Sequence, residues 1–79
     1  MAKTAVVLAQ VRDKIRSGEA RSLRLAAPLS LAEAAADVGV TPGAIHAYEN
    51  GQYLPRGEHA LRYARLLCDL KRLERELQP

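Results

Sequence analysis

Apolar and polar residues alternate at helical spacing from the start of the chain. In residues 4–17 an apolar stripe lies on one face and charged residues occupy the others, which predicts an amphipathic helix. The stripe consists of Leu8, Val11 and Ile15. A second helix is predicted from residue 19 to residue 27, where Pro28 ends it. Gly18 is interpreted as a break between the two, although one continuous helix would cost only about 1 kcal/mol at this glycine.

Residues 30–51 predict two short helices joined by a tight turn. The first has an apolar stripe at the i, i+3, i+4, i+7 spacing, formed by Leu31, Ala34, Ala35 and Val38. Ser30 can cap its first turn, and Glu33 three positions later completes a capping box. Gly39 ends this helix, because glycine adopts the left-handed conformation at little steric cost.

The second helix of this pair is predicted to begin after Thr41 and to end at Asn50-Gly51. Thr41 can cap it, and Pro42 fits the first helical position, where its fixed φ is suitable and its missing N–H is not needed. Two helices with so short a connection are typical of a helix-turn-helix, in which the second helix projects from the domain.

A loop and one long helix complete the predicted elements. Proline and glycine mark residues 52–57 as a loop, and residues 58–77 are predicted to form a helix about 30 Å long. Tyr63 and a row of leucines alternate along it in spacings of three and four. This seam fits two arrangements, docking on the N-terminal helix or a homodimer through Leu66, Leu70, Leu73 and Leu77.

The composition favours an all-α fold. With 79 residues, no Phe or Trp and 4% aromatic residues, the chain is expected to form one domain, residues 1–79, as a small helical bundle with an aliphatic core. Cys68, the only cysteine, is interpreted as a small core-facing residue in a protein of a reducing compartment. The apolar run at residues 5–9 is too short to span a bilayer, so a cytoplasmic location and no membrane association are expected.

The charge and the reactive side chains limit the classes of function that the chain can have. A net charge of +3 is mild and favours a polyanionic partner. The sequence contains no Gly-rich phosphate loop and no nucleophile with an evident base, so no enzymatic activity is expected. His46 and His59 lack metal-ligand spacing and supporting ligands, and neither a metal, a cofactor nor a small-molecule ligand is expected.

The stretch LSLAEAAADVGVTPGAIHAYENGQYLP resembles the Cro/C1-type (XRE) helix-turn-helix family of phage and bacterial transcriptional regulators. The resemblance covers residues 19–67, with residues 4–17 as an N-terminal extension helix and residues 68–79 as an extended C-terminal helix. The matching residues are Val38-Gly39-Val40-Thr41, Ile45, Tyr48-Glu49-Asn50-Gly51 and Pro55. This resemblance implies a lambda-repressor-like DNA-binding domain that places residues 41–50 in the major groove of double-stranded DNA, as a phage Cro or a compact repressor does.

The resemblance also implies which residues contact DNA. They are Thr41, Pro42, Gly43, Ala44, His46, Ala47, Gln52, Tyr53, Arg56 and Arg21. Phosphate anchoring is expected from Arg56, from backbone N–H groups at the start of the second helix, and from some of Arg12, Lys14, Arg16 and Arg21. Arg24 and Glu49 are expected to form a partly buried ion pair that fixes the recognition helix against the scaffold.

The chain departs from the family pattern at its base-reading positions. Pro42, Gly43 and Ala47 carry no long donor or acceptor, so bidentate bonds to bases are not available from them. Leu31 stands where the family commonly has a phosphate-holding Gln. Specificity is expected to rely on few base contacts, with Ala44 or Ala47 touching a thymine methyl, and on DNA shape. A protein-interaction module of the same fold, such as an antitoxin or an adaptor, is the alternative interpretation.

Overall fold

The computed structural model describes residues 4–78, which form five α-helices and no strand; residues 1–3 and 79 of the predicted domain lie outside the described residues. The helices are α1 (Thr4–Arg16), α2 (Glu19–Ala26), α3 (Leu31–Val38), α4 (Pro42–Glu49) and α5 (Gly57–Leu77). The predicted all-α fold is confirmed. Gly18 has a φ of 83°, a left-handed conformation that breaks the helical path between α1 and α2, as predicted.

The long helix α5 is the scaffold of the domain. α1, α2 and α3 each pack against it, α1 also packs against α2, and α4 packs against α3. The core that these helices enclose is almost entirely aliphatic, as the composition predicts. Its members are Val11, Ile15, Ala20, Leu23, Ala34, Ala35, Val38, Ile45, Tyr48, Tyr63, Leu66, Leu67 and Leu70. Burial of each leucine- or isoleucine-sized side chain stabilises the fold by roughly 1.5–3 kcal/mol.

The leucine seam of α5 divides into a buried and an exposed half. Leu66 and Leu70 are 9% and 7% exposed and pack in the core of their own chain. Leu73 and Leu77 are 36% and 67% exposed. The predicted homodimer seam therefore needs a correction, because its first two leucines are already buried against helices of the same chain and only the last two lie on the surface.

Cys68 is exposed, so its interpretation as a core residue is wrong. α1 packs on the neighbouring face of α5, where Val11 lies beside Ala64 and Leu67. Cys68 lies at the edge of this contact with Lys14. Helical spacing alone placed Cys68 close to a buried stripe, but the width of the stripe depends on how far α1 reaches across α5.

Charged side chains link the ends of three helices at the surface. Lys71 of α5 lies 3.3 Å from a carboxylate oxygen of Glu19 in α2 and 3.7 Å from one of Glu74. Lys14 of α1 lies 3.9 Å from Glu19. Such exposed pairs are each worth at most about 1 kcal/mol.

None of the helices in residues 4–78 has the length and apolar character needed to cross a membrane.

Candidate nucleic-acid interface

The two central helices begin and end at the residues that the sequence predicts. The Ser30 side chain accepts a bond from the Glu33 N–H at 3.0 Å, and the Ser30 N–H donates to the Glu33 carboxylate at 2.9 Å. These bonds hold the pKa of Glu33 below its ordinary value, the bond from the Ser30 backbone being the larger cause. Gly39, with a φ of 85°, ends α3. A capping box and a left-handed glycine thus fix both ends of the scaffold helix of the pair.

α4 begins with few backbone donors left for a ligand. Thr41 Oγ1 accepts a bond from the Ala44 N–H at 3.1 Å, and the Thr41 carbonyl accepts bonds from Ala44 and Ile45. Pro42 has no N–H. Within residues 4–78, the Gly43 N–H is therefore the donor at this helix start that has no protein partner. This terminus thus offers an anion fewer N–H groups than a helix start with several open donors does.

Arg24 and Glu49 form the ion pair that the sequence predicts. Arg24 Nε lies 2.5 Å from Glu49 Oε2 and Arg24 Nη2 lies 3.0 Å from Glu49 Oε1, a two-point contact. A third guanidinium nitrogen donates to the Leu29 carbonyl at 3.0 Å. The two side chains are 11% and 2% exposed, and the bond to Glu49 raises the pKa of Arg24 above its ordinary value, against the opposing effect of burial. This pair ties the last turn of α4 to α2 and to the loop before α3.

Aromatic rings pack beside this pair. The Tyr48 ring lies 5.5 Å from the Tyr63 ring between centroids, and the exposed Tyr53 packs edge-on against Tyr48 at the same distance. Tyr63 is 2% exposed and its hydroxyl has no hydrogen-bond partner among the described residues. Burial raises the pKa of Tyr63. Tyr53 thus extends the core outward and holds the loop after α4 in place.

The exposed face of α4 is smaller than the sequence implies. Thr41, Pro42, Gly43 and His46 are exposed, and Ala44 is half-buried against the core. Ala47 is 5% exposed, so its interpretation as a base-contacting residue is corrected. The physical reason is that Ala47 lies one turn after Ala44, which packs against the core, so both share that side of α4. The Gln52 N–H donates to the Ala47 carbonyl at 3.0 Å and closes the end of the helix.

Asn50 is a surface residue of this face that the sequence interpretation used only as a helix-end signal. Its Nδ2 atom lies 3.3 Å and 3.2 Å from the two ring nitrogens of His46. Residues four apart on a helix lie on the same side, which was the available signal. His46 and Asn50 together present both donors and acceptors, the chemistry needed at a base edge.

The helix-turn-helix segment itself contributes no cationic side chain. No Lys or Arg occurs between Leu25 and Pro55, whereas Glu33 and Asp37 are exposed on α3 and Glu49 is neutralised by Arg24. Cations able to neutralise a phosphate group therefore come from residues outside this segment. Among the exposed arginines of residues 4–78, ion pairs engage Arg16, Arg62 and Arg72 but not Arg12, Arg21, Arg56, Arg65 and Arg75.

The predicted site residues thus fall into distinct groups. Thr41, Pro42, Gly43 and His46 share the exposed face of α4. Gln52, Tyr53 and Arg56 are exposed in the loop that follows it, and Arg21 is exposed on α2. No cluster of metal-ligating side chains occurs in the part of the chain that the structure describes.

This arrangement defines a helix-turn-helix fold with an anchored, projecting second helix. A family model described as a helix-turn-helix domain matches residues 17–78, well over half of the chain. The chain belongs to this helix-turn-helix family, whose fold suggests a DNA-binding regulator. Comparisons with curated proteins and with solved structures gave no significant match.

Proposed function

We propose that this chain is a sequence-specific, double-stranded DNA-binding transcriptional regulator of the Cro or repressor type within the Cro/C1 (XRE) group, acting in the cytoplasm of a bacterial or phage-infected cell. In this proposal α4 lies in the major groove. The observation that carries it is the anchoring of α4: Thr41 caps one end, and the buried Arg24–Glu49 pair fixes the other. A helix held at both ends presents its outer face in one orientation, which base readout requires.

Recognition of the DNA sequence would depend on few side chains. His46 and Asn50 supply hydrogen-bonding groups, and Thr41 lies at the helix start. Pro42 and Gly43 let the helix terminus approach the bases closely but form no directed bonds through their side chains. Groove shape and duplex deformability would therefore contribute a large share of specificity.

Affinity would come from the flanking arginines. Arg56 is the residue before α5 and lies directly after the loop that leaves α4, and Arg21 is exposed on α2. Because each neutralised phosphate releases counterions, log affinity should fall by roughly 0.9 per phosphate contact for each tenfold rise in salt.

Selection of bound duplexes from a random pool, followed by anisotropy titration at several salt concentrations, tests this function. Arg56→Gln should weaken binding and lower the salt slope by about 0.9. Arg75→Gln removes the same charge near the opposite end of α5 and should leave the DNA affinity and the salt slope unchanged. Absence of DNA affinity for the folded wild-type chain at low salt would eliminate the proposal.

A protein-interaction module of the same fold, such as an antitoxin or an adaptor, is the second candidate. It is favoured by the absence of Lys and Arg between Leu25 and Pro55, since a surface poor in cations suits a protein partner better than a phosphate backbone does. Replacing both Arg56 and His46 separates the two functions. The double variant should lose DNA binding if the chain is a regulator, and should still capture its partner if the chain is an adaptor.

A further inference from the structure

A groove lies between the C-terminal parts of α2 and α5, and none of the residues proposed to contact DNA lines it. Ala26 of α2 and Ala27, which follows it, form one wall, and Leu70, Leu73 and Leu77 of α5 form the other. The alanines are small, so the groove stays open, and Leu73 and Leu77 border it with exposed surface. An exposed apolar concavity of this kind marks an interaction site more often than a solitary exposed leucine does.

The size of the groove indicates what it can hold. Its volume is about 200 Å³. Pockets for drug-sized ligands are typically about 300–1,000 Å³, whereas a cavity of about 150 Å³ accommodates a group the size of benzene. The groove therefore fits one or two apolar side chains of a protein partner. Leu73 and Leu77 lie four residues apart, the spacing that a second helix matches with its own i, i+4 residues.

Carboxylates border the apolar surface on both sides. With about 100° between successive helical residues, Glu74 lies on one side of the Leu73–Leu77 row and Asp69 and Glu76 lie on the other. Arg72 is the basic residue next to this row and already pairs with Asp69 at 2.9 Å. Lys71 lies beyond Glu74, which lines the groove, and is shared between Glu74 and Glu19. The border is therefore weighted towards negative charge.

This charge pattern disfavours a second copy of the chain as the occupant. In a two-fold symmetric pair both copies carry the same carboxylates beside the row, and Lys71 and Arg72 of each copy are already engaged by Glu74 and Asp69, so a second copy brings no unpaired cation beside its own row. Like charges across an interface are destabilising, and opposite charges beside an apolar seam select the partner.

We propose that the groove between α2 and α5 is a docking site for an amphipathic helix of another protein, with leucine-sized residues one turn apart and Lys or Arg beside them. The apolar residues enter the groove next to Ala26 and Leu77. The basic residues pair with Glu74 and Glu76 at its borders. This interaction goes beyond the proposed DNA binding and requires no DNA.

Two synthetic helical peptides with identical leucine positions provide the test, one with lysines and the other with glutamates at the flanking positions. In titrations followed by NMR, the lysine peptide should shift the methyl signals of Leu73, Leu77 and Ala26 and should bind at least roughly tenfold more tightly. A double variant, Glu74→Lys with Glu76→Lys, should reverse the preference of the chain for the two peptides.

Matched substitutions separate docking from folding. Leu77→Asp should abolish peptide binding without unfolding the chain, because Leu77 is 67% exposed. Leu61→Asp makes the same change at a 44% exposed residue of α5 that does not line the groove, and should leave binding unchanged. Equal binding of the two peptides, or no binding of either, contradicts the proposal. So does a dimer in sedimentation equilibrium that Leu77→Asp dissociates.

Discussion

The guanidinium of Arg24 meets the carboxylate of Glu49 at two points, in an environment where Glu49 is 2% exposed. This contact joins residues that are far apart in sequence, and it determines where the last turn of α4 lies. A single bond would leave the carboxylate free to rotate. The two-point geometry and the third bond, to Leu29, fix the orientation of the pair.

Arg24→Ala should lower the free energy of unfolding by roughly 3–5 kcal/mol, because it leaves the Glu49 carboxylate buried without a partner. Urea denaturation followed by circular dichroism measures the loss. The exposed pair of Arg16 with Asp13 is the matched control, and Arg16→Ala should cost less than about 1 kcal/mol. A similarly small loss for Arg24→Ala would mean that the pair does not anchor α4.

Gly39→Ala should destabilise the chain by about 1–2 kcal/mol, the cost of a Cβ in the left-handed conformation. A Cβ there would also lie 2.9 Å from Arg62 Nη1, so that side chain must move. Gly18→Ala introduces the same backbone strain at a φ of 83° with no atom within 4 Å, and isolates the conformational part. Thermal unfolding should show losses of similar size for the two variants, because the terminal nitrogen of the flexible, half-exposed Arg62 can move at little cost. A much larger loss for Gly39→Ala would contradict this.

Glu33→Gln should change how stability depends on pH. The pKa of Glu33 is lowered in the folded chain, so its ionised form contributes stability above its unfolded pKa of about 4.3. That contribution is lost as the pH falls through the lower, folded pKa. Glutamine retains a capping box without titrating. The free energy of unfolding, measured from neutral pH down to about pH 3, should therefore depend less on pH for the variant than for the wild type. The same pH dependence for both would contradict the assignment.

Gly43→Arg tests whether the N-terminal face of α4 approaches DNA. A Cβ on Gly43 would come no closer than 3.9 Å to Thr41 Oγ1, so a side chain is tolerated. The added cation should raise DNA affinity and steepen the salt slope by up to about 0.9. Gly43→Ala is the uncharged control and should raise only stability, by at most about 1 kcal/mol. Equal affinities of the two variants would place this face away from the duplex.

Local signals in the sequence predicted the helix boundaries because each acts within one turn. Ser30 with Glu33, and Thr41 with Pro42, define helix starts through bonds to their own neighbours. Gly39 defines an end through its own φ. These features do not depend on how the rest of the chain packs, so the order of residue types along the chain is enough to predict them.

Burial depended on contacts that no local pattern specifies. Ala47 is covered because the side of α4 that packs on the core extends to it, and Cys68 lies uncovered at the edge of the contact between α1 and α5. Periodicity identified the leucine seam of α5. It could not distinguish the leucines that are buried by helices of the same chain from those that stay exposed on its surface. The site was predictable in its scaffold and less so in its surface, since exposure is a property of the assembled helices.

The length of α5 separates two tasks in space. Its first turn follows the loop that leaves α4, and its last turns border the groove, so about 15 Å of continuous helix lies between them. A DNA duplex bound to α4 and a partner helix bound beside Leu77 would lie near opposite ends of α5. The two occupants need not compete for the same surface, and a chain of this size can act as a bridge that holds both at once.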